Sequence, residues 1–119
     1  MGLDNYAMRG PEEELTADDI AAFRAEAPNL CGGIADSDEG SIRGKLYWSL
    51  VIEVTGVDLY DNFIPPDRVK AMYKALRDCN PGEVDCYNLS SVDLETQVAE
   101  LCKFFKVCAE RNLGIASWW

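Results

Sequence analysis

The first pattern of apolar residues at helical spacing lies between Thr16 and Pro28. Thr16 fits an N-cap, and Asp19 occupies the position that completes a capping box, although Glu or Gln is more usual there. Pro28 ends the pattern, because the residue before a proline disfavours the helical conformation. We therefore predict a helix from about Ala17 to Glu26.

The next apolar stretch fits two patterns. The helical pattern consists of apolar residues four apart, namely Ile42, Leu46, Leu50 and Val54. The strand pattern consists of alternating apolar residues, namely Leu46, Trp48, Leu50, Ile52 and Val54. We predict a helix, because the stretch is long, the helical pattern extends back to Ile42 and Gly56 suits a helix end. A strand over residues 46–54 is the alternative, since β-branched residues favour it.

Two further helices are predicted in the second half of the chain. Pro66 suits the first turn of one, and Arg77 suits its last turn, where the helix dipole favours a cation. Its apolar face consists of Val69, Met72, Tyr73 and Leu76. Ser91 is the predicted N-cap of the longest helix, from about Val92 to Arg111. Its apolar face consists of Leu94, Val98, Leu101, Phe105 and Cys108.

Three segments lie outside the predicted helices. Residues 1–14 are predicted to be an extended N-terminal segment, and residues 28–41 a loop rich in Gly and Asp. Residues 114–119 form an apolar tail, which we expect to pack on the core because aromatic side chains are stabilised by burial. The alternative is that Trp118 and Trp119 form an exposed patch for a partner.

These elements predict a mainly α fold. We expect about four helices in one compact orthogonal or bundle-like domain over residues 1–119, with a minor β element as an addition. A chain of 119 residues fits one domain and can build a core without covalent staples.

The net charge of −10 is concentrated in the first third of the chain. Residues 1–40 hold 10 acidic and 2 basic residues, a net charge of −8, which leaves −2 for residues 41–119. Direct binding to nucleic acid is not expected, because phosphate contacts need a basic face. The charge favours a solvated surface, and a sharper alternative is an acidic mimic of nucleic acid.

The cysteines and apolar runs predict a cytoplasmic protein. The five cysteines are Cys31, Cys79, Cys86, Cys102 and Cys108. Their odd number, with no signal peptide expected from the first residues, favours reduced thiols over a disulfide framework. No apolar run approaches the roughly 20 residues that span a bilayer, so we expect no membrane partner.

The absence of histidine limits the chemistry that this chain can perform. It removes Ser-His-Asp and Cys-His catalysis and the zinc sites that need histidine. The pairs Asp58 with Asp61 and Glu83 with Asp85 could serve as acid and base, but exposed surface carboxylates are the favoured interpretation. We predict no catalytic residue, no metal and no cofactor.

One loop carries a hypothesis of ligand binding. A helix N-terminus beside two cations can hold a phosphate or carboxylate. The candidate ligand-binding residues are Cys31, Gly32, Gly33, Ser41, Arg43 and Lys45. The competing interpretation is a helix start whose acidic lead-in complements the helix dipole.

Short motifs spread over nearly the whole chain suggest a family. They are MGLD-x-Y at the start, a central CGG, then RGKLY, TGVDLYDNFIPP, and LGIASWW at the end. In this order they resemble a group of small bacterial and phage proteins that have no established function. The resemblance favours a helix over residues 41–55 and implies no catalytic residue.

The sequence favours a non-enzymatic accessory or interaction protein of a bacterial or phage cytoplasm. Its partner is expected to be a second copy of the chain, in a homodimer, or another protein. The alternatives are a small-ligand or anion-binding module at the loop of residues 32–45 and the acidic mimic of nucleic acid.

Overall fold

Four helices and four short strands make up the part of the chain that the structure describes. The computed structural model describes residues 4–10, 13–26, 41–42, 44–80 and 91–118. In chain order, the elements are β1 (Asp4–Met8), α1 (Ala17–Glu26), β2 (Ser41–Ile42), α2 (Gly44–Thr55), β3 (Phe63–Ile64), α3 (Pro66–Asp78), α4 (Ser91–Glu110) and β4 (Gly114–Trp118). The described residues are therefore mainly helical with a minor sheet, as predicted.

The strands form one antiparallel sheet in the order β2-β1-β4-β3. β1 and β4 pair along their full length, from Asp4 opposite Trp118 to Met8 opposite Gly114. The two-residue strands β2 and β3 flank this central pair. At Gly114 a Cβ atom would lie 2.7 Å from the carbonyl oxygen of Ile64, so a glycine allows β3 to approach β4 closely.

The helix ends follow local signals in the sequence. α1 spans Ala17–Glu26, as predicted, and the Thr16 hydroxyl accepts the Asp19 backbone N–H at 3.2 Å. The stretch that fits both a helical and a strand pattern, residues 46–54, lies in helix α2. Gly56 follows this helix with a φ of 73°, a conformation that favours glycine. α3 begins at Pro66, which suits a first helical turn because proline has no N–H to satisfy.

Two finer predictions are corrected. The helical pattern in the sequence extends back to Ile42, but this residue lies in β2 opposite Asn5 and is fully buried there. The helices do not form a simple bundle, because part of the core is supplied by the sheet through Ala7, Ile64 and Ile115. Residues 114–118 form strand β4, in which Ile115 and Ala116 are buried. The packing predicted for the side chains of Trp118 and Trp119 lies outside the described residues.

The helices supply most of the core. α3 and α4 make the most extensive contact between any two described elements. Phe23 of α1 packs on Phe104 of α4 with ring centroids 5.3 Å apart, which fixes α1 on the same core. No helix in the described ranges combines the length and apolarity that crossing a membrane requires.

Candidate functional site

The most connected polar group of the described chain is the carboxylate of Asp19, which is completely buried. Arg9 donates to it through Nε and Nη2, each at 2.8 Å, and Arg111 donates through Nε at 2.6 Å. The backbone N–H of Thr16 adds a bond of 2.9 Å. We call Arg9, Thr16, Asp19 and Arg111 the Asp19 centre. It fastens the end of β1, the start of α1 and the end of α4 to one another.

The electrostatics of the Asp19 centre favour a structural role. Burial acts to raise the pKa of Asp19, but hydrogen bonds from Thr16, Arg111 and Arg9 outweigh it and hold the pKa at about 2. A general base works best with a pKa near the operating pH and within reach of substrate. An ionised, fully enclosed carboxylate meets neither condition, so we assign Asp19 a structural role.

A second group of contacts lies on the surface of α2. Tyr47, Leu50 and Val51 face the core, whereas Trp48 and Ile52 are exposed at 37% and 36%. Residues four apart on a helix share a face, so Trp48 and Ile52 form a continuous apolar strip. They are the exposed large hydrophobic residues of the described chain.

Asp58 fixes the position of the Trp48 ring. The indole Nε1–H of Trp48 donates to Asp58 Oδ1 at 2.9 Å, and the backbone N–H of Tyr60 donates to the same oxygen at 2.9 Å. The Tyr60 ring meets the Trp48 ring edge-on, with centroids 6.1 Å apart and planes at 77°. Trp48, Ile52, Asp58 and Tyr60 together are called the Trp48 surface. Its aromatic ring is exposed and yet held in one orientation.

The sequence between Lys45 and Arg68 carries charge of one sign. Residues 46–67 contain four acidic residues and no lysine or arginine, and the acidic residues are Glu53, Asp58, Asp61 and Asp67. Asp61 faces Arg68 from the following helix at 3.9 Å. Among the side chains that the structure describes, which do not include that of Lys45, Asp58 forms no salt bridge.

The predicted ligand-binding loop is covered only in part. Ser41 lies in β2 opposite Tyr6 and is buried. Lys45 lies in the first turn of α2, where its backbone is described. Cys31, Gly32, Gly33 and Arg43 lie outside the described residues. The hypothesis of an anion site in this loop therefore stays a prediction.

Two pairs of carboxylates were considered from the sequence as a possible acid and base. Asp58 and Asp61 engage different partners, Trp48 and Arg68 respectively, and Glu83 and Asp85 lie outside the described ranges.

Burial raises the pKa of the Cys79, Cys102 and Cys108 thiols. At Cys102 the Cys79 thiol raises the pKa further, and Arg77 acts to lower it. Raised pKa values disfavour the thiolate, the nucleophilic form of cysteine. In the described part of the chain, His, Cys, Asp and Glu form no group of three or more that could hold a metal ion.

Sequence reasoning found only fragments of these two groups. It placed Asp19 in a capping box, but Arg9 and Arg111 are 10 and 92 residues away in the chain, and no local pattern joins them to it. It grouped Trp48 with the strand alternative and treated Asp58 as an exposed carboxylate. The spacing of Asp58 and Tyr60 was a usable signal, because an Asp side chain commonly accepts the backbone N–H two residues on.

Comparisons with protein-family models, curated proteins and solved structures find no match to this chain.

Proposed function

We propose that this chain is a non-enzymatic accessory protein that binds a basic partner protein through the Trp48 surface. The observation that supports the proposal is an exposed tryptophan hydrogen-bonded to a carboxylate that forms no salt bridge with any side chain the structure describes. We further propose that it acts in a bacterial or phage cytoplasm, which the resemblance to small bacterial and phage proteins and the cysteine content favour.

The aromatic part of the surface suits an interface. Tryptophan and tyrosine are enriched among the residues that contribute most to binding. A side chain that is fixed before binding loses less conformational entropy when a partner arrives. Trp48 meets this condition, because its ring is held by the bond to Asp58 and by the edge of Tyr60.

The charge of the surface favours a basic occupant. A positive partner would gain from the carboxylates of residues 46–67, of which Asp61 alone is paired with a described cation, Arg68. Two copies of the chain would each bring a net charge of −10, and like charges at an interface are unfavourable. We therefore commit to a basic protein as the occupant and treat a homodimer as the competing outcome.

The proposal is tested by photocrosslinking. A photoreactive phenylalanine analogue replaces Ile52 in the cells that make the protein, and crosslinked chains are identified by mass spectrometry. The same analogue at Lys106, an exposed position on α4, is the control. We expect a basic protein to be captured from position 52 and not from position 106.

Binding of the captured protein is then measured with purified components by calorimetry. We expect Trp48→Ala to weaken binding by at least about tenfold, and added salt to weaken it further. Lys106→Ala should leave it unchanged. Crosslinks only to a second copy, capture equal to that from position 106, or binding that is indifferent to Trp48→Ala would each contradict the proposal.

A further inference from the structure

We infer that Trp48 and Asp58 form a subsite for one arginine side chain of the partner, an inference that rests on the proposed function. The Asp58 carboxylate would accept hydrogen bonds from the guanidinium. The exposed part of the indole would stack on the planar face of the guanidinium. This assigns the two residues separate roles in recognition, with Asp58 determining the preference for positive charge.

The acceptor capacity of Asp58 is only half used in the described chain. A carboxylate offers two oxygens with about four lone-pair sites. Oδ1 accepts both the Trp48 indole N–H and the Tyr60 backbone N–H, each at 2.9 Å. Oδ2 accepts no hydrogen bond from the described residues. Its lone pairs are therefore not used by the described residues, and we infer that they accept N–H donors from the partner.

The indole lies beside the Asp58 carboxylate, so an arginine bound to Oδ2 would lie near the ring. The bond from Nε1 to Oδ1 keeps the ring within hydrogen-bond distance of the carboxylate, and 37% of Trp48 remains exposed. A cation within about 6 Å of an indole centroid is attracted to its face. A guanidinium fits such a site better than an ammonium, because it is planar, stacks on aromatic rings and is more weakly hydrated.

Asp58 differs in this respect from the neighbouring carboxylate of Asp61. Asp61 already lies 3.9 Å from the Arg68 guanidinium, and its side chain is 51% exposed. Of the two, Asp58 combines a fixed position, an unused oxygen and an aromatic neighbour. The subsite is accordingly assigned to Asp58.

The test uses defined peptides as probes. Three short amphipathic peptides of leucine and alanine differ only at the central residue, which is arginine, lysine or the neutral isostere citrulline. Binding is followed through the indole N–H signal of Trp48 in ¹⁵N-correlated NMR spectra, assigned by its loss in Trp48→Phe. We expect the arginine peptide to bind about tenfold more tightly than the citrulline peptide, since hydrogen bonds to charged groups are the stronger kind.

Asp58→Asn is the deciding variant. Asparagine keeps an oxygen that can accept from Trp48 and Tyr60 but removes the charge. We expect the preference for arginine over citrulline to disappear in this variant. The preference should persist in the matched control Asp78→Asn, which changes the last residue of α3.

The outcomes separate the subsite from the proposed function. If arginine and citrulline peptides shift the Trp48 signal with equal affinity, the subsite is wrong while binding at the Trp48 surface stands. If the lysine peptide binds as tightly as the arginine peptide, the preference for a guanidinium is wrong. If no peptide shifts the signal even at millimolar concentration, the proposed function is contradicted as well.

Discussion

Two aspartates of this chain show how the surroundings of a carboxylate decide its use. Asp19 is fully buried and accepts hydrogen bonds from two arginines and a backbone N–H. Asp58 is half-buried and accepts from an indole and a backbone N–H, without a salt bridge to any described side chain. The first negative charge is neutralised inside the fold, whereas the second remains available to a partner.

The two carboxylates contribute differently to the stability of the fold. A buried carboxylate that lost its partners would leave charges uncompensated, so it is retained for folding. A surface carboxylate that merely orients an exposed tryptophan adds little to stability, since exposed polar contacts contribute modestly. This contrast supports the proposal that Trp48 and Asp58 serve binding.

The largest expected effect is at the Asp19 centre. Asp19→Ala removes the counter-ion of Arg9 and Arg111 and the capping bond to Thr16. We expect a loss of about 3 kcal/mol in the free energy of unfolding, because breaking a buried ion pair from one side leaves unpaired charge. Urea unfolding followed by circular dichroism measures it. A loss below about 1 kcal/mol would show that the centre is not a structural anchor.

Acid should weaken the same centre. The pKa of Asp19 in the folded protein is about 2, below its ordinary value of 3.8. The stabilisation is therefore fully present above about pH 4 and is lost as the pH falls towards 2, which amounts to about 2 kcal/mol.

Urea unfolding between pH 6 and pH 2.5, compared between the wild type and Asp19→Asn, isolates this contribution. A stability difference between the two proteins that stays constant as the pH falls from 4 would contradict the assignment.

A smaller effect is expected at the Trp48 surface. Asp58→Ala removes two accepted hydrogen bonds near solvent, and we expect a loss of at most about 1 kcal/mol in the free energy of unfolding. The mobility of the Trp48 ring should rise, which time-resolved fluorescence anisotropy can report with Trp118 and Trp119 replaced by phenylalanine. An unchanged anisotropy decay would show that Asp58 does not orient the ring.

Local signals in the sequence predicted the helices well. Thr16 with Asp19 marked the start of α1, Pro66 the start of α3 and Gly56 the end of α2. Such signals act within a few residues, where the chemistry of a single turn determines the conformation.

The sheet was largely missed, because its pairing is non-local. β1 pairs with β4 from the opposite end of the described chain, and neither DNYAM nor GIASW alternates clearly between apolar and polar residues. The Asp19 centre was missed for the same reason, since Arg111 reaches Asp19 only when α4 is packed on α1. The Trp48 surface depended on which face of α2 is buried, and the ambiguous pattern of residues 46–54 left that undecided.

The most direct test of the account compares one chemical change at two sites. The free energy of unfolding in urea at pH 7 is measured for Asp19→Asn and Asp58→Asn beside the wild type. We predict a loss of about 2 kcal/mol for Asp19→Asn and a change within about 0.5 kcal/mol for Asp58→Asn. Equal losses at the two sites would contradict the account, because Asp58 would then serve the fold as Asp19 does.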